Sequence, residues 1–348
     1  MAPPKRKHST HFTASKRRKV AQKSDVVSDK DTPTPEEWNA MKSFKRFQVL
    51  QQDDRHTFTL GDAVLVLPPT GEPGDASMTD DDFWIARILD IRAPIQEPTD
   101  SWDQPVWAKV QWFYKPEDLV GKIKGLKRGA YGSKERIASN HEDLVHFSSC
   151  EDIVQMHAYS EISSKNSRPT IIDTDAFYYR QTYDVLTNTL TPLPKTCLPK
   201  CRKGYNPDTN TMRVCPSASC ARAFHVSCLQ DSATSSSIAD SPNSSRTLVG
   251  SSPKQKLKQK GNEKKIPNEL QTLALLPMLK GGPHGVVGNV PFVRAALAIL
   301  RDVRSGTRTV DPDWQEKLNL PDGVEVQDLV DAAAEYESAE CPSCGATM

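Results

Sequence analysis

Long hydrophobic runs are missing from this chain. No stretch of about 18 apolar residues occurs, so the sequence predicts no membrane-spanning helix. Aromatic residues are scarce (7%), and the apolar share of 37% falls short of what one large core demands. A length of 348 residues leaves room for two or three domains, so the composition predicts folded modules separated by solvated segments. Net charge is only +1, which excludes binding of a polyanion through overall charge. The opening MAPPKRKHSTHFTASKRRKV has no apolar segment of the kind a secretory leader needs. The Gly-rich run GGPHGVVGN (281–289) lacks the Lys-Ser/Thr ending of a phosphate loop and reads as a turn. No internal repeat stands out.

What is present is unevenly placed. Lys5, Arg6 and Lys7 are followed, after residues 8–15, by Lys16, Arg17, Arg18 and Lys19. Two such clusters on an extended chain fit a bipartite nuclear-import signal; the other reading is a basic tail that touches nucleic acid without sequence preference. Nuclear localisation implies a reducing compartment, which argues against disulfides among the eight cysteines. Residues 1–50 read as a disordered basic tail. Residues 51–190 carry five β-rich runs (FTLGDAVLVL, DFWIARILDI, PVWAKVQWFY, EDLVHFSSCEDIVQMHAY and AFYYRQTYDVL) and predict a mostly antiparallel β domain. Its basic loop GKIKGLKRGAYGSKER (121–136) is a solvated loop or a contact for nucleosomal DNA or histone. The Ser- and Lys-rich 231–265 is a disordered linker. Helices are expected in NELQTLALLPMLK, FVRAALAILRDVRSG and VEVQDLVDAAAEYES, within 266–338.

The few aromatics concentrate in VQWFYKPED (110–118). If residues 106–114 form a strand, Trp112 and Tyr114 project together and Phe113 points the other way. The pair is either a hydrophobic cover or one wall of a binding site. Large aromatics such as Trp84 and Trp112 usually belong to cores.

Seven cysteines and one histidine form four close pairs: Cys197 and Cys201, Cys215 and Cys220, His225 and Cys228, Cys341 and Cys344. Structural zinc takes four soft ligands in a tetrahedron, and each pair supplies two from one turn. Four pairs make two closed sites, which hold structure and keep no position open for water. Cys150 is left over in an apolar run and reads as a small buried hydrophobe.

The ligand order C-x3-C-x13-C-x4-C-x4-H-x2-C-x112-C-x2-C, with Phe224 before the histidine, resembles a PHD finger. That resemblance implies one zinc on Cys197, Cys201, His225 and Cys228 and a second on Cys215, Cys220, Cys341 and Cys344. The finger would comprise 196–230 plus 339–348, with 266–338 as a partly helical insertion; the interval of 112 residues is far longer than in ordinary fingers. GDAVLV, WIARI, VQWFYKPED, SNHEDLV, CEDIVQMHAY and FYYRQTYD, in that order, resemble a BAH domain, a barrel-like β fold. A BAH domain followed at once by a PHD finger is similar to the BAH–PHD chromatin proteins of plants and fungi.

The BAH resemblance implies an aromatic cage of Trp84, Trp112 and Tyr114 for a trimethylated histone lysine, because a quaternary ammonium is held by ring faces. His141 and Asp143 stand where such domains contact the histone, although an Asp there also forms turns. The implied function is a nuclear, non-enzymatic reader of the trimethylated lysine 27 of histone H3, serving Polycomb-type repression. Its partners would be the nucleosome and repressive chromatin complexes, with no membrane and no sequence-specific DNA. Of the finger's own cage only Tyr205 remains, since Thr196 and Ala223 replace aromatics; Ala339 stands where such fingers commonly carry a tryptophan before the last cysteine pair. Two rivals stay open: a scaffold binding unmodified histone tail or another chromatin protein, and a RING-like ubiquitin ligase. The four-residue interval between Cys220 and His225 favours the PHD order over RING. The β domain supplies no nucleophile with its base and no carboxylate pair.

Overall fold

The computed structural model describes residues 32–51, 54–72, 75, 77–95, 105–160, 172–173, 175–192, 197, 201, 203–236, 266–318, 320 and 323–348. The two basic clusters of the tail and the linker beyond residue 236 lie outside these residues. The chain divides into two units: 1–115, 136–156 and 182–190 in the first, and 116–135, 157–181 and 191–348 in the second.

The disordered stretch expected up to residue 50 gives way to ordered structure from helix α1 (Pro35–Ala40) onward. The Thr34 hydroxyl accepts from the Glu37 N–H, and the Glu37 carboxylate accepts from the Thr34 N–H, with Pro35 in the first turn. This reciprocal cap satisfies two donors that a helix start otherwise leaves bare. Trp38 is buried on the other side, under the Arg92 guanidinium at 4.8 Å. Strands β1 (Lys42–Phe44), β2 (Arg46–Gln51) and β3 (Asp54–Thr59) follow, β2 and β3 pairing as a hairpin.

The main sheet adds β4 (Ala63–Val66), β5 (Trp84–Ala93), β6 (Trp107–Tyr114), β7 (Glu135–His146), β8 (Cys150–Val154), β9 (Met156–Ala158), β10 (Phe177–Asp184) and β11 (Thr189–Thr191). Its order is β11-β10-β7-β6-β5-β4-β8, with β1 on β5 and β9 on β10. The barrel-like closure expected for this domain is absent among the described residues: β8 and β11 end an open sheet, and closure would require the end strands to pair. A bulge between Ile88 and Asp90 shifts the alternation of β5 by one residue. Ala86, Ile88 and then Ile91 therefore all reach one face. There they meet Val64, Val66, Ala108 and Val110, together with Cys150, in the first unit's core. Burial pushes the Cys150 thiol up to about 12, in keeping with a packing role.

In the second unit, α2 (Pro116–Leu119) opens the basic loop, and that loop ends sooner than expected because β7 already begins at Glu135. Glu135 is only 1% exposed. Arg180 grips its carboxylate with Nε at 2.7 Å and Nη2 at 2.8 Å, and the Gly132 N–H adds a third donor. Glu135→Gln should therefore lower stability by about 2 kcal/mol, a charged hydrogen-bond acceptor being lost in a buried place. Urea unfolding measures this; an unchanged midpoint would remove the pair from the fold's essential contacts.

A three-stranded sheet holds β12 (Met212–Val214) between β13 (Ala223–His225) and β14 (Met278–Lys280). Helices α3 (Val226–Ser236), α4 (Asn268–Leu275), α5 (Val290–Arg304), α6 (Trp314–Leu318) and α7 (Val326–Ala333) complete the unit. The expected helix through NELQTLALLPMLK stops at Leu275, because the residue before Pro277 is disfavoured in helical geometry, and Met278–Lys280 extend as a strand. Leu270, Leu273, Val293, Ala296 and Leu300 of α4 and α5 pack with Val214 and Met278.

Candidate functional site

β5 and β6 run antiparallel with Ile85 opposite Phe113 and Ala86 opposite Trp112. Side-chain alternation then sets Trp84, Trp112 and Tyr114 on one face, the face of the hydrophobic core. Trp112 is 8% exposed and belongs to that core, while Tyr114 packs at its margin. Trp84, at the start of β5, is 45% exposed. The two indoles meet edge to face, centroids 5.5 Å apart and planes at 88°. Phe113 is buried on the opposite face beneath the Arg87 guanidinium, 5.2 Å from its ring centroid. Both faces are thus covered at Trp112 and Phe113, and Trp84 is the most exposed of the three predicted rings.

Tyr114 is fixed from two sides. Its hydroxyl is hydrogen-bonded to His141 Nδ1 at 2.7 Å, with the rings nearly parallel and 6.0 Å apart. Tyr183, buried on β10, meets it edge-on at 5.7 Å and donates its own hydroxyl to Asn188. The buried Ser139 hydroxyl donates to the Trp112 carbonyl at 2.8 Å and accepts from the His141 N–H at 3.1 Å, tying the two predicted residues through one side chain. Asp143 lies on β7 opposite Val110, exposed, its carboxylate accepting from the Leu144 N–H.

The sequence reading missed two features here. Tyr183 sat inside the quoted FYYRQTYD run, but no spacing rule told it from its neighbours. The run Asp80-Asp81-Asp82 leads directly into Phe83 and Trp84. Arg136 meets Asp81 at 2.8 Å, and Asp82 accepts from the Thr79 N–H and hydroxyl. The Thr79 N–H, seconded by its hydroxyl, holds the Asp82 carboxyl below its usual range.

The second unit gathers the eight predicted ligands into two groups of four: Cys197, Cys201, His225 and Cys228, and Cys215, Cys220, Cys341 and Cys344. Within each group the ligand atoms all lie within 4.8 Å of one another. β13 ends at His225 and α3 begins at Val226, which brings Cys228 back beside the imidazole. His225 Nδ1 lies 3.5 Å from Cys201 Sγ and 3.8 Å from Cys228 Sγ, and the His225 N–H donates to Cys197 Sγ. In the other group, Cys215 and Cys220 come from the β12–β13 turn, whose Ala221 adopts a left-handed φ of 46°. Cys341 and Cys344 come from a turn closed by the Gly345 N–H on the Cys341 carbonyl, with Gly345 at φ 71°. Sulfur separations are 3.6 Å for Cys215 to Cys344 and 3.7 Å for Cys220 to Cys341.

These separations fit a metal. A tetrahedron with legs of about 2.3 Å has edges of about 3.8 Å. Burial pushes the Cys228 thiol up to about 12 and Cys215 higher still, a cost that a bound divalent cation reverses by stabilising thiolates. Sulfur and imidazole donors without carboxylates suit zinc. Each group can hold one metal ion by four protein ligands, so neither retains an open position for chemistry.

Residues 56–194 match the family model of the BAH domain. Among solved structures, the crystal structure of the yeast Rsc2 BAH domain is similar at 12% identity and a TM-score of 0.26. That match covers 41% of this chain and 52%, about half, of the other. No curated protein matches the chain.

Proposed function

With a BAH domain over residues 56–194 as the premise, we propose that the chain is a nuclear, non-catalytic chromatin reader. BAH domains are typically chromatin-binding modules. The aromatic edge of Trp84, Trp112 and Tyr114 receives a trimethylated histone lysine, that of H3 lysine 27, in the service of Polycomb-type repression. The observation that carries this reading is the exposed Trp84 ring standing perpendicular to Trp112. A quaternary ammonium cannot donate hydrogen bonds, so the exposed Trp84 ring, backed by Trp112 and Tyr114, gives it cation–π contact and dispersion. The Asp82 carboxylate, in the loop leading into Trp84, adds long-range attraction for the same cation. In this reading His141, bonded to Tyr114, and the exposed Asp143 contact the peptide beside the lysine. The two cysteine–histidine groups take one structural zinc each in a PHD-type arrangement. Lys5–Lys7 and Lys16–Lys19 serve nuclear import.

An array of methylated and unmethylated histone peptides on the full chain tests this. Binding should require trimethylation and be strongest for lysine 27 of H3. Trp84→Ala should weaken it about thirtyfold, the loss of one desolvated cation–π contact. Binding that ignores methylation would instead establish a scaffold for unmodified tail.

A further inference from the structure

β14 lies antiparallel on β12, pairing Met278 with Val214, Leu279 with Arg213 and Lys280 with Met212. Addition of an extended segment to a sheet edge is how many domains capture peptides, main-chain bonds giving affinity and pockets for alternate side chains giving specificity. Here the added segment is the chain's own. The Lys280 side chain does not run to solvent: the residue is 4% exposed. Its ammonium sits 4.4 Å from the Tyr205 ring centroid and 5.8 Å from that of Tyr159, both within cation–π range.

The backbone that follows is moulded around Tyr205. Gly281, at φ 77°, has no room for a side chain, since a Cβ would fall 2.3 Å from the Asn210 carbonyl oxygen and 2.7 Å from the Tyr205 ring. Gly288, at φ 63°, would place one 1.9 Å from the Leu279 carbonyl oxygen. The Tyr205 hydroxyl donates to the Val286 carbonyl at 3.2 Å, closing the loop over the ring. On the other side of β14, Asn289 accepts the Leu279 N–H and returns its own N–H to the Leu279 carbonyl.

We infer that the second unit contains a site for an extended, lysine-bearing peptide and that this site is permanently filled by Met278–Lys280, with Lys280 as the internal ligand of Tyr205 and Tyr159. The β12 edge is therefore closed to outside strands. This goes beyond the proposed reading by the first unit and does not depend on it, because no residue is shared.

Two experiments on the full chain test the inference. Lys280→Met keeps side-chain length and removes the charge; it should lower the melting temperature by about 5 °C. Tyr205→Leu should also lower it, and the double variant should lose clearly less than the sum of the two, because both changes break the Lys280–Tyr205 contact and only the one to Tyr159 is left to lose. Lys280→Met as stable as the parent, or fully additive losses, would overturn the assignment. In the unaltered chain, a synthetic peptide of residues 275–285 should leave the amide resonances of Met212–Val214 in place at millimolar excess. Shifts confined to those amides would show that an outside strand displaces the internal one, which also overturns it.

Discussion

Cys341→Ser should release one of two zinc ions per chain and open Cys215 and Cys220 to thiol reagents. The two cysteines of the β12–β13 turn are half of a site, and Cys341 and Cys344 are the other half. Structural zinc contributes roughly 10–16 kcal/mol in small finger peptides, more than any other single contact in this unit is expected to supply. Three remaining ligands would need water in the fourth position and bind far more weakly. The group of Cys197, Cys201, His225 and Cys228 should keep its ion, since none of its ligands changes. Metal analysis of the purified variant, with thiol titration alongside, reads both outcomes. Two ions held as tightly as in the parent would refute the pairing.

Trp112→Ala and Trp84→Ala should separate in a way that neighbouring tryptophans of one wall would not. Trp112 is enclosed by the first unit's core, so removing it leaves a cavity and should cost about 3–5 kcal/mol. Trp84 is largely solvated and loses mainly its edge-to-face contact, worth about 1 kcal/mol. Urea unfolding of the two variants compares them directly. If both prove equally mild, Trp112 is no part of the core. The clean probe of peptide binding is therefore Trp84→Ala; a binding loss in Trp112→Ala cannot be told from a loss of fold.

Much of this was legible in the residues, for reasons that differ from place to place. The four metal-ligand pairs declared themselves because soft-ligand spacing is a local signature, and the structure gathers all eight into two sets of four. The β5 and β6 strands followed from alternation, as did the common face of Trp112 and Tyr114. Alternation does not say which face is wet, and so the sequence left Trp112 open between a binding wall and a core. The start of β7, Glu135-Arg136, read as loop because both side chains are charged; their burial depends on Arg180 and Asp81, which lie far away in sequence. The Thr34–Glu37 cap is a local sequence signature that the polar composition around it masks. β14 was hidden because the apolar residues of NELQTLALLPMLK read as one helix, although Pro277 disfavours helix at the residue before it. Only the β12 edge explains why Met278–Lys280 extend.

The sulfur contacts that complete the second metal site join residues 121 and 129 positions apart in sequence. The first site draws its ligands from a stretch of about thirty residues and can assemble as soon as that stretch collapses. Contacts so distant form late, because loop closure must precede any reward from them. If each group takes one ion, the local site should fill first, as a nucleus, and the distant one should act as a latch that closes only after α4, β14 and α5 have docked. A chain starved of zinc would stall between the two, with its Cys215–Cys220 turn formed and its latch open.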